Sequence, residues 1–538
     1  MIEPSSPQWS HATFIHLRFL SIGFLVLGAL VLSCMPGLLR ASVALPGPEK
    51  RTLLLVDDHD VLYRPGTVRV LRPLDRAAEN PVIAVDKPWE TLIAYCSVYR
   101  DPATGHYQLW YQACPGCYLC YATSRDGIHW TKPDLGLVQF QGDKHNNILM
   151  QWGYGASVLV DRHSSDPARR YKAAFWTRGE KIDGRSIPGT GVAFSPDGIH
   201  WSEHSGNPVI RGSQGHYIQP PFAGDPRIRT GELGGPPLST SDVTDAIWDP
   251  KRETFAIYAK TWLDGPDGTM HWKRAVVRTE SKDFLNWSRP ELIMAPDEFD
   301  GWDGDAREVE RVSVGGGSGG VQLHSGPAFF YNDVYFSLLQ IMDARQTGLQ
   351  PIELALSRDG LDWERPFRKG DPFLPTSPGE GFDAGRIWSN ATPVILSDEI
   401  RFYYGGYRGR WNQKGARDRQ HRPTGIGLAR MPRDRFAGVR PLEKIGQITL
   451  KAMELSSYRG LTLNADARKG VIRVELLDDR GYRVRGYSKE DAVRIFGDHL
   501  SHPVRWVDRE IADLEAGRYR LRIHLDHAVV YAVTLTGR

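Results

Sequence analysis

Apolar residues in this chain fall in short alternating runs broken by Gly, Pro, Asp and Asn, and long stretches of helical period are few. Alternation of this kind predicts strands joined by tight turns. Five aromatic-rich hairpins stand out, each with Asp or Asn at its turn: SVYRDPATGHYQLWY, LVDRHSSDPARRYKAAFW, AIWDPKRETFAIYA, AFFYNDVYFSLL and VILSDEIRFYYGG. A second motif interleaves with them. SRDGIHW starts at Ser124, SPDGIHW at Ser195, SKDFLNW at Ser281 and SRDGLDW at Ser357, with starts 71, 86 and 76 positions apart. A degenerate fifth copy runs from Arg430 to Phe436. Asp-Gly supplies a turn with positive φ, the preceding Ser can bond the turn backbone, and the Trp packs on the next strand. The motif is turn chemistry, not catalysis.

Five hairpins, each followed by such a turn, predict an all-β five-bladed β-propeller over residues 45–441, with blades of four strands and long connecting loops at 212–241 and 295–320. After Leu442 the texture changes to short alternating strands such as GVIRVELLD, RYRLRIHL and VVYAVTL, which predict a C-terminal β-sandwich over 442–538. Residues 1–44 read differently. Phe19–Leu32 is almost wholly apolar, is preceded by Arg18, and is followed by Arg40 and the small residues Ala41–Ala44. That pattern predicts a signal peptide or membrane anchor, and hence a secreted or periplasmic protein.

A net charge of +3 gives no broad field for nucleic acid or a polyanion. The 16 Trp and 21 Tyr residues fit a fold of aromatic-anchored strands, and exposed ones stack well on sugar rings. Cys96, Cys114, Cys117 and Cys120 remain once the N-terminal segment is set aside. Their spacing admits a thiolate metal site, but the oxidising compartment favours disulfides or buried thiols. No metal and no cofactor is expected.

Several stretches resemble the clan of five-bladed propeller glycosidases, which includes the invertase and levanase family (family 32) and the arabinanase and xylosidase family (family 43). They include Leu54–Asp58, Asn80–Ile83, Pro88-Trp89-Glu90, SRDGIHWTKPDLGLVQFQG, SRDGLDWERP, GEGFDAG and RFYYGG. The likeness is nearest to uncharacterised exported bacterial proteins described as family 32-like, and it covers nearly everything after Leu53. It implies a glycoside hydrolase acting on a poly- or oligosaccharide. The chain lacks the Trp-Met-Asn-Asp-Pro-Asn block, the Arg-Asp-Pro motif and the Glu-Cys pair of the named enzymes, so their catalytic triad does not map onto it.

Glycoside hydrolysis needs two carboxyl groups, one protonated and one ionised, flanking the scissile bond. The innermost strand of each blade lines a central funnel, so carboxylates just before those strands are the candidates. They are Glu90 for blade one, Asp242 and Asp245 for blade three, Glu308 and Glu310 for blade four, and Asp383 for blade five; blade two has none. The expected catalytic set is Glu90, Asp245, Glu310 and Asp383, with Glu310 as general acid and Glu90 or Asp245 as base or nucleophile. Trp89, Asp242, His324, Arg386 and Trp388 are the expected substrate contacts. The alternative is a non-catalytic carbohydrate-binding propeller.

Overall fold

The computed structural model describes residues 50–114, 117–151, 153–177, 179, 181–182, 185–186, 188–211, 238, 240–263, 273–300, 320–344, 346–412 and 423–537. The N-terminal apolar segment, Trp152, nearly all of the 212–241 loop, and Glu308 and Glu310 lie outside these residues.

The five hairpins become the middle of five antiparallel sheets. Blade one runs outward from Leu92–Arg100 through Tyr107–Cys114 and Tyr118–Ser124 to Ile148–Gln151. Blade two begins with Tyr154–Val160, blade three with Thr244–Asp249, blade four with Val321–Ser325 and blade five with Arg386–Trp388. The downstream ends of all five inner strands surround one cavity of about 340 Å³, lined by Val98, Val158, Ala246, Phe329 and Ala391 among others. Inner strands of different blades do not share a backbone ladder, so side-chain hydroxyls join them. Thr392 accepts from Val98 N–H at 2.9 Å, Ser97 from Val158 N–H at 2.9 Å, and Ser157 from Ala246 N–H at 3.1 Å.

The repeated turn has one geometry in four blades. Asp126, Asp197, Asp283 and Asp359 each accept two backbone N–H bonds from the residues that follow, and the Ser two positions earlier bonds each Asp side chain. The glycine of the turn is required by its neighbour as well as by its φ. A Cβ on Gly198 (φ +80°) would lie 2.7 Å from the ring of Trp110 in blade one, whose indole N–H donates to the Gly198 carbonyl at 2.7 Å. Tyr403 and Tyr258 reach the carbonyls of Gly127 and Gly360 in the same way. In blade three the glycine is replaced by Phe284, and the facing strand carries Ala174, so the bulk has moved from one blade to its neighbour.

The ring is closed by the two ends of its own chain. Asp75–Arg76 and Ile83–Ala84 pair with Thr424–Pro432 as the outer strands of blade five. A one-chain closure of this kind trades the exposed edge of the last blade for a long-range ladder.

The C-terminal residues form one ten-stranded antiparallel sheet wrapped around its own core, including Leu463, Leu476, Trp506 and Ile523. Its long strand Tyr458–Asp478 pairs with Val529–Gly537 through its first half and with Arg518–Asp526 through its second. Lys50–Leu54, Val61–Tyr63 and Thr67–Leu71, which the sequence reading allots to the propeller, also belong to this sheet. The sheet is packed directly on blades four and five through Leu54, Phe336, Phe402, Phe436 and Ala532.

Candidate functional site

The upstream ends of the inner strands converge at the other end of the axis. A bulge between Ala94 and Cys96 puts Tyr95 at φ +35°. A bulge re-aims a side chain that strict alternation would direct elsewhere. The Tyr95 ring meets Tyr154 of blade two edge-on at 5.4 Å and Trp388 of blade five at 5.8 Å, and Trp388 stacks on Tyr407 at 6.1 Å. Blade two, which offers no carboxylate, therefore contributes an aromatic ring.

Blade three supplies the carboxyl groups. Gly155 (φ +64°) brings blade two so close that a Cβ there would lie 2.0 Å from the Asp242 carbonyl oxygen. Lys260 is held on the neighbouring strand, its N–H donating to Val243 at 3.0 Å and its carbonyl accepting from Ser241 at 2.8 Å. Its ammonium consequently lands on Asp242 as an ion pair. Asp242 keeps about a quarter of its side chain exposed, whereas Lys260 is buried. Asp245 lies deeper and accepts the Ala391 N–H of blade five; burial pushes its carboxyl up to about 8. Both aspartates act on the Tyr95 phenol, which burial first and then Tyr154 and these charges hold well above its ordinary range.

Blades four and five add polar and cationic groups. His324 Nδ1 bonds Gln340 Oε1 at 2.9 Å, Gln350 Nε2 donates to the same oxygen at 3.3 Å, and Trp411 Nε1–H donates to Gln350 at 3.0 Å. Burial, then the charges of Lys260 and Arg274, push His324 well below the usual histidine range, so it is neutral. The Arg386 guanidinium lies 3.6 Å above the Trp411 ring centre, and Arg274 lies 4.2 Å from the Trp262 centre and 5.7 Å from that of Trp411. Among the expected residues the structure brings together Asp242, Asp245, His324, Arg386 and Trp388.

It does not bring the others to this group. Glu90 is fully buried within blade one, where Oε1 accepts from the Tyr111 hydroxyl at 2.5 Å and Oε2 from Lys132 Nζ at 2.8 Å and Asp86 N–H at 3.1 Å. Trp89 packs edge-on against Phe140 at 5.5 Å in the blade-one core and donates to Asn147 at 3.2 Å, so it offers no stacking face. Asp383 is buried and accepts from Arg76 Nε at 2.8 Å and from the Tyr404 hydroxyl at 2.9 Å. These three hold the scaffold together. Glu310 falls outside the described residues.

Lys260, Arg274, Tyr95 and Trp411 were not singled out from the sequence. The available signal was weak: one lysine inside the otherwise largely apolar strand TFAIYAKTWL, and an arginine at the second position of the next strand.

Among the described residues no group of three or more His, Cys, Asp and Glu is arranged to hold an ion. Cys96 and Cys120 are buried thiols, Cys96 accepting from Asn390 Nδ2 at 3.4 Å. Burial, and then Asp245, push the Cys96 thiol up.

No family model matches the chain, and no curated protein is similar to it. Solved structures similar to it include an N-acetylgalactosamine deacetylase from F. plautii in complex with blood group B trisaccharide, at 16% identity over 67% of this chain and 96% of that one, with a TM-score of 0.42. A thermostable family-43 glycoside hydrolase overlaps 64% of this chain and 90% of its own at 12% identity and a TM-score of 0.39. The family-32 β-fructofuranosidase of Bombyx mori overlaps 86% and 95% at 10% identity and a TM-score of 0.38. At these values the fold rests on the sheets described above.

Proposed function

We propose that the chain is an exported glycoside hydrolase whose site is the upstream end of the propeller axis, with Asp245 as general acid. The observation that carries this reading is the raised carboxyl of Asp245. A group pushed up to about 8 holds its proton at neutral pH and can give it to a leaving glycosidic oxygen. That state does not suit the role of base or nucleophile. Asp242, ion-paired with the Lys260 ammonium, is the second carboxyl group and stands where Asp245 does not: at the partly exposed edge. One buried carboxyl group and one ion-paired at the exposed edge supply the two carboxyl groups that glycoside hydrolysis needs. Tyr154 is a half-buried aromatic face for a sugar ring, and neutral His324 is a polar group of the same site. Export rests on the apolar segment Phe19–Leu32 and the small residues that follow it.

A second reading, a carbohydrate-binding propeller without catalysis, is favoured by one observation. Glu90 and Asp383 are committed to structural ion pairs, so the described site holds only the two aspartates of blade three.

The test is incubation of the secreted chain with a broad panel of oligosaccharides and mass analysis of the products, for wild type and Asp245→Asn. Cleavage by the wild type and none by the folded variant is the expected result. Retained binding with no cleavage by either protein moves the function to the second reading.

A further inference from the structure

Among the described residues, the basic side chains of the site are not all matched by a carboxylate of their own. Lys260 is paired with Asp242, whereas Asp245 keeps its proton at neutral pH. Arg274, 5% exposed, makes no ion pair of its own among the described residues; the charge of Asp242, already paired with Lys260, acts on it from further away. Its Nη1 donates to Gln322 Oε1 at 2.6 Å and lies 3.3 Å from the Met342 sulfur, while its buried Nε has no hydrogen-bond partner. Buried guanidinium groups are ordinarily matched by a carboxylate, because taking the charge out of water is costly. Trp262 and Trp411 on its faces soften that cost but supply no counter-ion. Trp411 also carries Arg386 on its ring, so two like charges share one aromatic side chain.

We propose that this site selects a saccharide bearing an anionic substituent, a uronate carboxylate or a sulfate ester, and that Arg274 receives the anion. The inference rests on the reading of the site as one for carbohydrate and names the class of carbohydrate. Arg274 has the geometry for the role: a planar fork, fixed beside the Trp262 and Trp411 rings, whose Nε lacks a hydrogen-bond partner. Burial first, and then the charges of Lys260, Arg274 and Arg386, disfavour the charged form of His324, so the same field acts on it. The whole chain carries only +3, so the positive potential is local and fits one or two acidic groups on a sugar rather than an extended polyanion.

Two matched pairs of probes test this by titration calorimetry on the whole chain. Oligogalacturonides are compared with their methyl-esterified twins, and sulfated galactan oligosaccharides with their desulfated twins. The expected result is that one anionic series binds at least ~10-fold more tightly than its neutral twin, and the pair that responds identifies carboxylate or sulfate. Arg274→Gln is expected to erase that preference and Arg274→Lys to restore part of it, with thermal melting confirming the fold. Equal affinity for charged and neutral twins, or no binding of either anionic series, overturns the proposal, and the wild-type comparison decides this even if both variants misfold. A preference that persists in folded Arg274→Gln overturns the role of Arg274. Cleavage is scored separately on the same probes. Anionic binding without cleavage keeps this inference and removes the hydrolase, whereas cleavage without charge preference does the reverse.

Discussion

Asp383 and Arg76 are 307 positions apart in the chain, yet Arg76 Nε donates to Asp383 Oδ2 at 2.8 Å. Arg76 lies on the strand that pairs with blade five and closes the ring, so the pair clamps the closure from the side. Asp383 is nearly inaccessible and Arg76 is about a quarter exposed. Removing the buried carboxylate leaves the Tyr404 hydroxyl and a partly buried guanidinium without their acceptor.

Asp383→Ala is therefore expected to lower unfolding stability by about 3 kcal/mol, and Arg76→Ala by less because its own side chain is better hydrated. Urea unfolding measures both. Specific activity per folded molecule is expected to stay at the wild-type level, which separates a clamp from a catalytic role.

Glu90 makes the same point in blade one. Glu90→Gln leaves the buried Lys132 ammonium with the Ala84 carbonyl and with Asp86, a carboxylate whose side chain is mostly exposed. A loss of about 3 kcal/mol is expected in chemical unfolding, with the chemistry of the folded protein unchanged.

The interblade turns yield a packing prediction. Gly198→Ala is expected to cost about 2 kcal/mol, since a Cβ at φ +80° meets the Trp110 ring. Phe284→Ala opens a cavity against Ala174 and Phe255 and is expected to cost about 3–5 kcal/mol. Thermal melting of the two variants checks both, and a silent Gly198→Ala would contradict the close approach of blades one and two.

Asp245 links stability to pH with a definite sign. Its folded carboxyl titrates near 8, well above the ordinary value of 3.8. The folded state therefore holds a proton that the unfolded state has released, and stability falls as pH rises from about 4 to about 8. Asp245→Asn removes that penalty while its side-chain carbonyl still accepts the Ala391 N–H. The variant is expected to be more stable than wild type at pH 8 by about 2–5 kcal/mol, with the gap closing toward pH 4. Melting temperatures across that range measure it.

The fold was legible because its rules are local. Ser-x-Asp needs only its own backbone, so four turns announced four blades, and the aromatic hairpins supplied the strands between them. The closing strands were not legible: Asp75–Arg76 and Ile83–Ala84 are too short to show any period. The site was half legible. Asp242 and Asp245 could be found because one precedes and the other lies at the start of a strand that had to be innermost. Glu90 and Asp383 looked the same on that criterion, and only their distant partners, Tyr111, Lys132 and Arg76, show where their charge is used. Lys260 and Arg274 sit inside strands, where an alternating pattern assigns a face but not a role.

The most direct test of Asp245 as the group that protonates the leaving oxygen is the hydrolysis rate of Asp245→Asn on two substrates. One is an oligosaccharide the wild type cleaves, and the other an aryl glycoside of the same sugar whose phenolate leaves without a proton. The account predicts a loss of about 10²–10⁴-fold on the oligosaccharide and near-wild-type cleavage of the aryl glycoside, together with a wild-type rate that declines as pH rises through about 8. Equal losses on both substrates, or wild-type cleavage of the oligosaccharide by the variant, would contradict it.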